Sequence, residues 1–314
     1  MEEYEYALLK SRELQKDGSV YKAEVQSMVT KKTRSRYGDV LFDTVFESVV
    51  IFGQYECGTG ICVSKDGKVL SCAHVCGERP RVGCKKVVIF MNGTIAVLEL
   101  VKVDIRCDVA LFSVAAILDD KNSNTDKTPK IRELPSTFSY PYSRIDLSQI
   151  PLKKRSVILC IGQPGRDDLE SHTPQKTPYD LVCVSKGTIV RVMEGDLNDN
   201  SEIGKLVHSA WTYWGHSGAA LLSMQGKVIG LHSSWDDDCG TRHGVHRDAI
   251  QKFVRGLVSY DSEEDDNEKE ESERDTMASS KRRARAILHD VDEGETSRKR
   301  RKEGRRYSDA IELS

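Results

Sequence analysis

The stretch Gly58-Thr-Gly-Ile-Cys-Val-Ser-Lys-Asp-Gly-Lys-Val-Leu-Ser71 decides the fold class. Two apolar runs flank its Asp66-Gly67 pair, and Asp-Gly between such runs is a strong signal for a tight β-hairpin. The pattern returns at Lys86–Met91 and Thr94–Leu100, which are joined by Asn92-Gly93. We therefore predict antiparallel β structure here.

Short β-branched or apolar runs, separated by turn residues, continue along the chain. Many short strands at this spacing, without helices between them, indicate paired antiparallel barrels or a sandwich. The further predicted strands are Ser48–Phe52, Val109–Val114, Ser156–Ile161, Leu181–Ser185, Gly187–Val192 and Lys227–His232, and a closing helix is predicted over Ile250–Leu257.

The chain divides by composition into three parts. Residues 1–40 form an N-terminal extension, with a short amphipathic helix over 2–16 that Gly18 ends and a polar lead-in after it. Residues 41–257 form the main domain, and the polar stretch 119–150 is long enough to be the junction between its two halves. Residues 258–314 form a highly charged tail.

The tail determines the predicted location and partners. Asp261–Glu271 is an acidic run with nothing to bury, so we predict that the tail is disordered. Its clusters Lys281–Arg285 and Arg298–Lys302 resemble nuclear-import signals and predict an import receptor as partner. Nucleic-acid binding is an alternative that rests on these clusters alone, and it predicts salt-dependent affinity that is lost with the tail.

Composition argues against secretion and membrane insertion. The N-terminus has neither a basic n-region nor an apolar h-region, and no apolar run approaches the ~20 residues of a membrane span. The 314-residue chain has a formal net charge of -2 and nine cysteines, an odd number that we interpret as free thiols in a reducing compartment. We expect a nuclear or cytoplasmic protein, and the oligomeric state stays open.

Three residues form a candidate catalytic set. Ser217 lies in Gly215-His-Ser-Gly218, a turn between two apolar segments, and the amides of Gly215 and Ser217 could point into one small space. His74 follows the first hairpin, and Asp108 opens a strand. A serine needs a base, an orienting carboxylate and oxyanion donors to act as a nucleophile. Each motif alone is weak, but the three together predict a Ser-His-Asp triad.

These motifs resemble trypsin-like serine peptidases of the chymotrypsin clan, especially the HtrA/Deg-like branch, over residues 45–255. The matching segments are Gly58–Val75, Cys107–Leu111, Val157–Gly165, Gly187–Val190, Gly215–Ala219 and Gly226–Leu231. The resemblance implies two antiparallel β-barrels and a serine endopeptidase that acts on proteins or peptides through an acyl-enzyme, without a cofactor or metal. His74 would be the general base, Asp108 its orienter and Ser217 the nucleophile, with Gly215 and Ser217 forming the oxyanion hole.

The chain departs from this family in places that affect substrate binding. His216 stands where the family has Asn or Asp, Ala219 replaces a second glycine, and no PDZ-like module follows. Trp211 stands six positions before the serine, where an acidic residue would select basic substrates, so we expect no basic preference. We predict substrate contacts from Trp211, Trp214, His216, His232 and Ser233, with core packing as the alternative for the tryptophans.

Two other interpretations remain open. The cysteines around His74 could suggest zinc, but Cys72-Ala-His-Val-Cys76 fits no standard spacing, and a metal would remove the base, so we favour buried free thiols. The chain could also be a catalytically inactive protease-like scaffold that binds protein or chromatin in the nucleus. An intact triad argues against that interpretation, whereas His216 leaves it open.

Overall fold

The computed structural model describes residues 2–29, 42–53, 58–118, 130–132, 138–201, 203–236 and 240–260. The described helices are α1 (Glu2–Met28), α2 (42–48) and α3 (Arg247–Val254), with a 3-10 turn at His74–Cys76. The strands are β1 (Val49–Phe52), β2 (Thr59–Cys62), β3 (Lys68–Ser71), β4 (Lys85–Phe90), β5 (Ile95–Asp104), β6 (Val109–Leu118), β7 (Ile131–Arg132), β8 (Val157–Gly162), β9 (Cys183–Val192), β10 (Leu206–His208), β11 (Ala220–Ser223), β12 (Val228–Asp236) and β13 (Thr241–His246).

The first barrel consists of β1 to β6. Its strand order is β3-β2-β1-β4-β5-β6, and a further pairing of β3 with β6, in which Leu70 faces Leu111, closes the sheet. All of its strand pairs are antiparallel, and β7 extends the sheet beyond β6. Phe52 and Phe112 pack edge to face in its interior, with ring centroids 6.0 Å apart.

The second barrel consists of β8 to β13, in the closed order β10-β13-β12-β11-β8-β9. The prediction of two antiparallel barrels is therefore confirmed. Two predicted strands on either side of Lys186 are one continuous strand, β9, in which Gly187 lies directly against the backbone of Ala210. The predicted strands do not include β7, β10, β11 or β13. Strands β7 and β10 are two and three residues long, β11 is predicted only as an apolar segment after the turn, and β13 has no apolar run.

The N-terminal helix is longer than predicted. Gly18 does not end it, and α1 continues to Met28. A glycine within a helix costs about 1 kcal/mol, whereas Tyr21 and Val25 are buried in the same core as the barrel side chains, and burying each contributes about 1.5–3 kcal/mol. Tertiary packing therefore outweighs the local signal, and the prediction of a polar lead-in from residue 17 is wrong as far as residue 29.

Other predictions concern residues that the structure does not describe. These are the charged tail from 261 to 314 with its basic clusters, the basic segment 30–41, and most of the junction before residue 138. Among the described helices, none has the length and apolar character needed to cross a membrane.

Candidate active site

The imidazole of His74 and the carboxylate of Asp108 are in contact. His74 begins the 3-10 turn after β3, and Asp108 immediately precedes β6 with a positive φ of 53°. Both carboxylate oxygens of Asp108 lie 3.0 Å from His74 Nδ1, and the His74 backbone N–H donates to Oδ1 at 3.2 Å. A carboxylate can only accept, so Nδ1 carries the proton, and the lone pair is on Nε2.

Asp108 is buried, whereas the His74 ring is half exposed. The turn that presents Asp108 is held by its own N–H, which donates to Ile105 O at 3.2 Å, and by the Cys107 N–H, which donates to Asp104 Oδ1 at 2.9 Å. Aspartate is among the few residues that enter the left-handed region at low cost. The Asp108 carboxylate is therefore a fixed hydrogen-bond acceptor, and the His74 ring is a base that solvent or substrate can reach.

Ser217 lies on a tight turn before β11, Gly215–Gly218, which we call the nucleophile turn. Gly215 and Gly218 have φ values of 96° and 83°, a region that favours glycine. A Cβ on Gly218 would collide with Thr59 O and Ser71 Oγ, so no larger residue fits there. The Ser217 carbonyl accepts from Thr59 N at 2.9 Å, which attaches the turn to the first barrel.

A hydrogen bond to the Trp214 carbonyl orients the peptide group between Trp214 and Gly215. Trp214 O accepts from Gly165 N at 2.6 Å. Since N–H and C=O point in opposite directions across a trans peptide, the Gly215 N–H points away from Gly165. Among the described residues, this N–H has no acceptor.

The peptide before Ser217 is fixed in the same way. His216 O accepts from Ala219 N at 2.8 Å, so the Ser217 N–H points to the other side. It too has no acceptor among the described residues. Two unpaired amides separated by one residue are what an oxyanion hole requires.

A cavity of about 590 Å³ contains both His74 and Ser217. Within the described part of the chain, no hydrogen bond joins the Ser217 hydroxyl to His74. Such bonds are often long before substrate binds. The cavity is lined by His74, Val75, Glu170, Thr212, Tyr213, Trp214, Gly215, Ser217, His232, Ser233, Ser234 and Trp235.

Three of the five residues predicted to contact substrate, Trp214, His232 and Ser233, line this cavity. Trp211 and His216 do not line it. Trp211 packs edge to face on Tyr179, with centroids 4.9 Å apart, and its ring also meets that of His216 at 5.5 Å. The geometry gives these two residues a packing role behind the turn.

His216 supports the nucleophile turn from inside the barrel. It is fully buried, and its Nδ1 lies 3.1 Å from both the backbone nitrogen and the carbonyl oxygen of Tyr213. Burial lowers the pKa of His216 to about 4, so the ring is neutral at pH 7. Its Nε2 is enclosed without a partner in the described structure.

The sequence analysis missed several residues of the site. Thr59 Oγ1 donates to Gly215 O at 2.9 Å, and Gly165 orients the peptide between Trp214 and Gly215. The segments that contain Thr59 and Gly165 are predicted as strand and turn motifs. Their contacts with the nucleophile turn join residues far apart in sequence, and no local sequence pattern indicates such contacts. Ser234 and Trp235 continue the strand after Ser233, and that continuity was the available signal.

The seven cysteines in the described residues are free thiols, as predicted, and five of them are buried. Within the described ranges there is one potential metal site, because Cys72, His74 and Asp108 offer ligand atoms within 4.8 Å of one another. Burial raises the pKa of the Cys72 thiol well above its usual value, and its Sγ donates to His232 O at 3.3 Å. A metal there would need this thiol ionised and would take the carboxylate from His74, so the set fits the catalytic pair better.

Comparison with known proteins agrees with the fold. The family model for the trypsin-like peptidase domain matches residues 58–231, more than half of the chain. The chain belongs to this family, and its fold is chymotrypsin-like. A search of curated proteins gave no match.

Proposed function

We propose that this protein is a serine endopeptidase, with Ser217 as nucleophile, His74 as general base and Asp108 as its orienter. The main support is that His74, Gly215 and Ser217 line one cavity. The His74 ring contacts Asp108, and the Gly215 amide has no acceptor among the described residues. This is the set of roles that defines a Ser-His-Asp site on any fold.

In this mechanism Ser217 Oγ attacks the carbonyl carbon of the scissile peptide, and its proton moves to His74 Nε2. Asp108 stays ionised and stabilises the imidazolium that forms. The negative charge on the substrate oxygen is bound by the Gly215 and Ser217 amides. His74 then returns the proton to the leaving amine, and water repeats the sequence to hydrolyse the acyl-enzyme.

Labelling with a fluorophosphonate probe tests the proposal. We expect wild-type protein to form the covalent adduct and Ser217→Ala and His74→Ala to form none. His172→Ala is a suitable control because this histidine is exposed and outside the cavity. Circular dichroism of each variant separates loss of activity from loss of fold.

The competing hypothesis is a catalytically inactive scaffold that binds protein or chromatin. Its structural support is the absence of a Ser217–His74 hydrogen bond among the described residues. Folded wild-type protein that resists labelling would favour the scaffold and would contradict the peptidase proposal.

Within the trypsin-like family we propose an HtrA-like enzyme that is located in the nucleus or cytoplasm. The support is the set of sequence motifs above and the two basic clusters at 281–285 and 298–302. Imaging of a fluorescent fusion with and without residues 261–314 tests the location, and loss of nuclear enrichment on truncation is the expected result. Equal distribution of the two forms would contradict it.

A further inference from the structure

Two buried histidines that touch each other, His232 and His208, have no role in the triad, and His232 lines the active-site cavity. His232, on β12, is bound to the nucleophile turn by its backbone. Gly218 N donates to His232 O and His232 N donates to Ala219 O, both at 2.8 Å. This places the His232 side chain beside the nucleophile, in the same cavity as Ser217.

The His232 ring is held from behind by His208. His208 Nε2 and His232 Nδ1 are 3.1 Å apart, and the rings meet edge to face with centroids 5.2 Å apart. His208 Nδ1 is enclosed without a partner in the described structure. A buried unpaired N–H is rarer than a buried unpaired acceptor, so the His208 proton belongs on Nε2, where it is donated to His232 Nδ1.

The tautomer of His232 follows from that bond. Its Nδ1 accepts, so its proton is on Nε2. This Nε2 has no partner in the described residues, and it is not among their fully enclosed polar atoms, so it faces the open cavity. Burial lowers the pKa of His208 to about 3 and that of His232 well below its usual value. The pair therefore presents a neutral N–H donor at pH 7.

A second donor faces the same cavity. The Thr212 hydroxyl accepts from Arg242 Nε at 3.1 Å, so its own hydrogen remains free to donate. The two nearby charges have opposite signs: the acidic Glu170 lines the cavity, and the Arg242 guanidinium is bonded to Thr212. Neither sign of substrate charge is therefore favoured by both. The cavity therefore contains two hydrogen-bond donors, His232 Nε2–H and the Thr212 hydroxyl. Both would be left unpaired beside an apolar substrate side chain.

We propose that His232, positioned by His208, selects substrates whose residue on the acyl side of the scissile bond carries a side-chain carbonyl oxygen, as in glutamine or glutamate. His232 Nε2–H donates to that oxygen. An aliphatic side chain of similar size, such as methionine, leaves the donor unpaired and is cleaved more slowly. This inference rests on the proposed peptidase activity and adds its substrate class.

The test compares peptides that differ only at this acyl-side residue. It uses unlabelled protein from a preparation of which a separate sample has been shown to react with the fluorophosphonate probe. We expect kcat/KM for glutamine or glutamate to exceed that for methionine, leucine and lysine at least about tenfold, since one net hydrogen bond contributes roughly that factor. The ratio between glutamine and glutamate then shows whether the amide or the carboxylate is the native acceptor.

His232→Leu should reduce the ratio of glutamine or glutamate to methionine to about 1, whereas the exposed control His172→Leu should keep it. If His232→Leu does not fold, the wild-type profile alone still decides. A preparation that reacts with the probe but whose unlabelled enzyme prefers methionine, leucine or lysine would overturn the inference and leave the peptidase function standing. Wild-type protein that does not react with the probe would overturn both.

Discussion

Replacing Thr59 by valine tests whether the first barrel holds the nucleophile turn in its active form. Thr59 is fully buried on β2. Its Oγ1 donates to Gly215 O at 2.9 Å and accepts from Gln163 N at 3.1 Å, while its own amide donates to Ser217 O at 2.9 Å. Valine keeps the shape of threonine and removes only the hydroxyl.

The loss of stability in Thr59→Val follows from the two backbone groups that lose their hydrogen-bond partner. Gly215 C=O and Gln163 N–H would both remain buried without the hydroxyl. A buried polar group left unpaired costs about 1–3 kcal/mol, so we expect Thr59→Val to lower the free energy of unfolding by roughly 2–6 kcal/mol. In the proposed mechanism Gly215 also supplies an oxyanion amide, and loss of one such donor lowers kcat about 10² to 10³-fold.

Urea unfolding measures the stability, and the rate of fluorophosphonate labelling in native buffer measures the site. Thr59→Ser is the matched control, because it keeps the hydroxyl and removes one methyl. We expect the serine variant to label at nearly the wild-type rate. A valine variant with wild-type stability and labelling rate would refute the inference that Thr59 orients the turn.

Two further predictions concern stability. Arg247 is buried and donates to Asp146 Oδ2 at 2.6 Å, so Arg247→Met should lower the free energy of unfolding by about 3–5 kcal/mol through the uncompensated carboxylate. The exposed Arg255→Met should change it little, and equal melting temperatures for the two variants would contradict the reasoning. Burial lowers the pKa of His216 to about 4 and that of His208 to about 3, whereas both titrate near 6.5 when unfolded. The unfolded state then binds more protons, so stability should fall as pH decreases from about 6.5 to 4, by up to about 1.4 kcal/mol per pH unit for each histidine. Urea unfolding across this range checks it: His216→Asn should lower the slope by about one proton, and a flat wild-type profile would show the histidines are not held neutral.

The sequence was most informative where structure is local. An Asp-Gly or Asn-Gly pair sets the turn and register of a hairpin by itself, so β2–β3 and β4–β5 were predicted close to their observed bounds. The contact between His74 and Asp108 followed from motif order and family resemblance, since neither residue has a distinctive neighbourhood alone. Short strands without an apolar run, such as β10, carry no such local signal.

Contacts between distant segments could not be predicted. The bond from Thr59 to Gly215 crosses 156 positions of sequence, and nothing near Thr59 marks it as part of the site. Trp211 and His216 have the composition of a binding surface, yet they pack against each other behind the turn. The backbone hydrogen bonds of neighbouring segments determine which face of a turn meets the cavity. Those hydrogen bonds form only in the folded chain.

The contacts of α1 with the segment after β8 are a further example of this limit. Lys10 and Glu13 lie one turn apart on α1. Their partners, Gln163 and Arg166, lie one on each side of Gly165 in the sequence. The Lys10 ammonium donates to Gln163 Oε1 at 3.1 Å within the core, while Glu13 pairs with Arg166 at the surface. The surface pair contributes little to stability because water screens it, whereas the buried bond fixes the segment whose Gly165 amide orients the nucleophile turn. The helix that the sequence indicated as a short extension is therefore bound to the segment that orients the nucleophile turn.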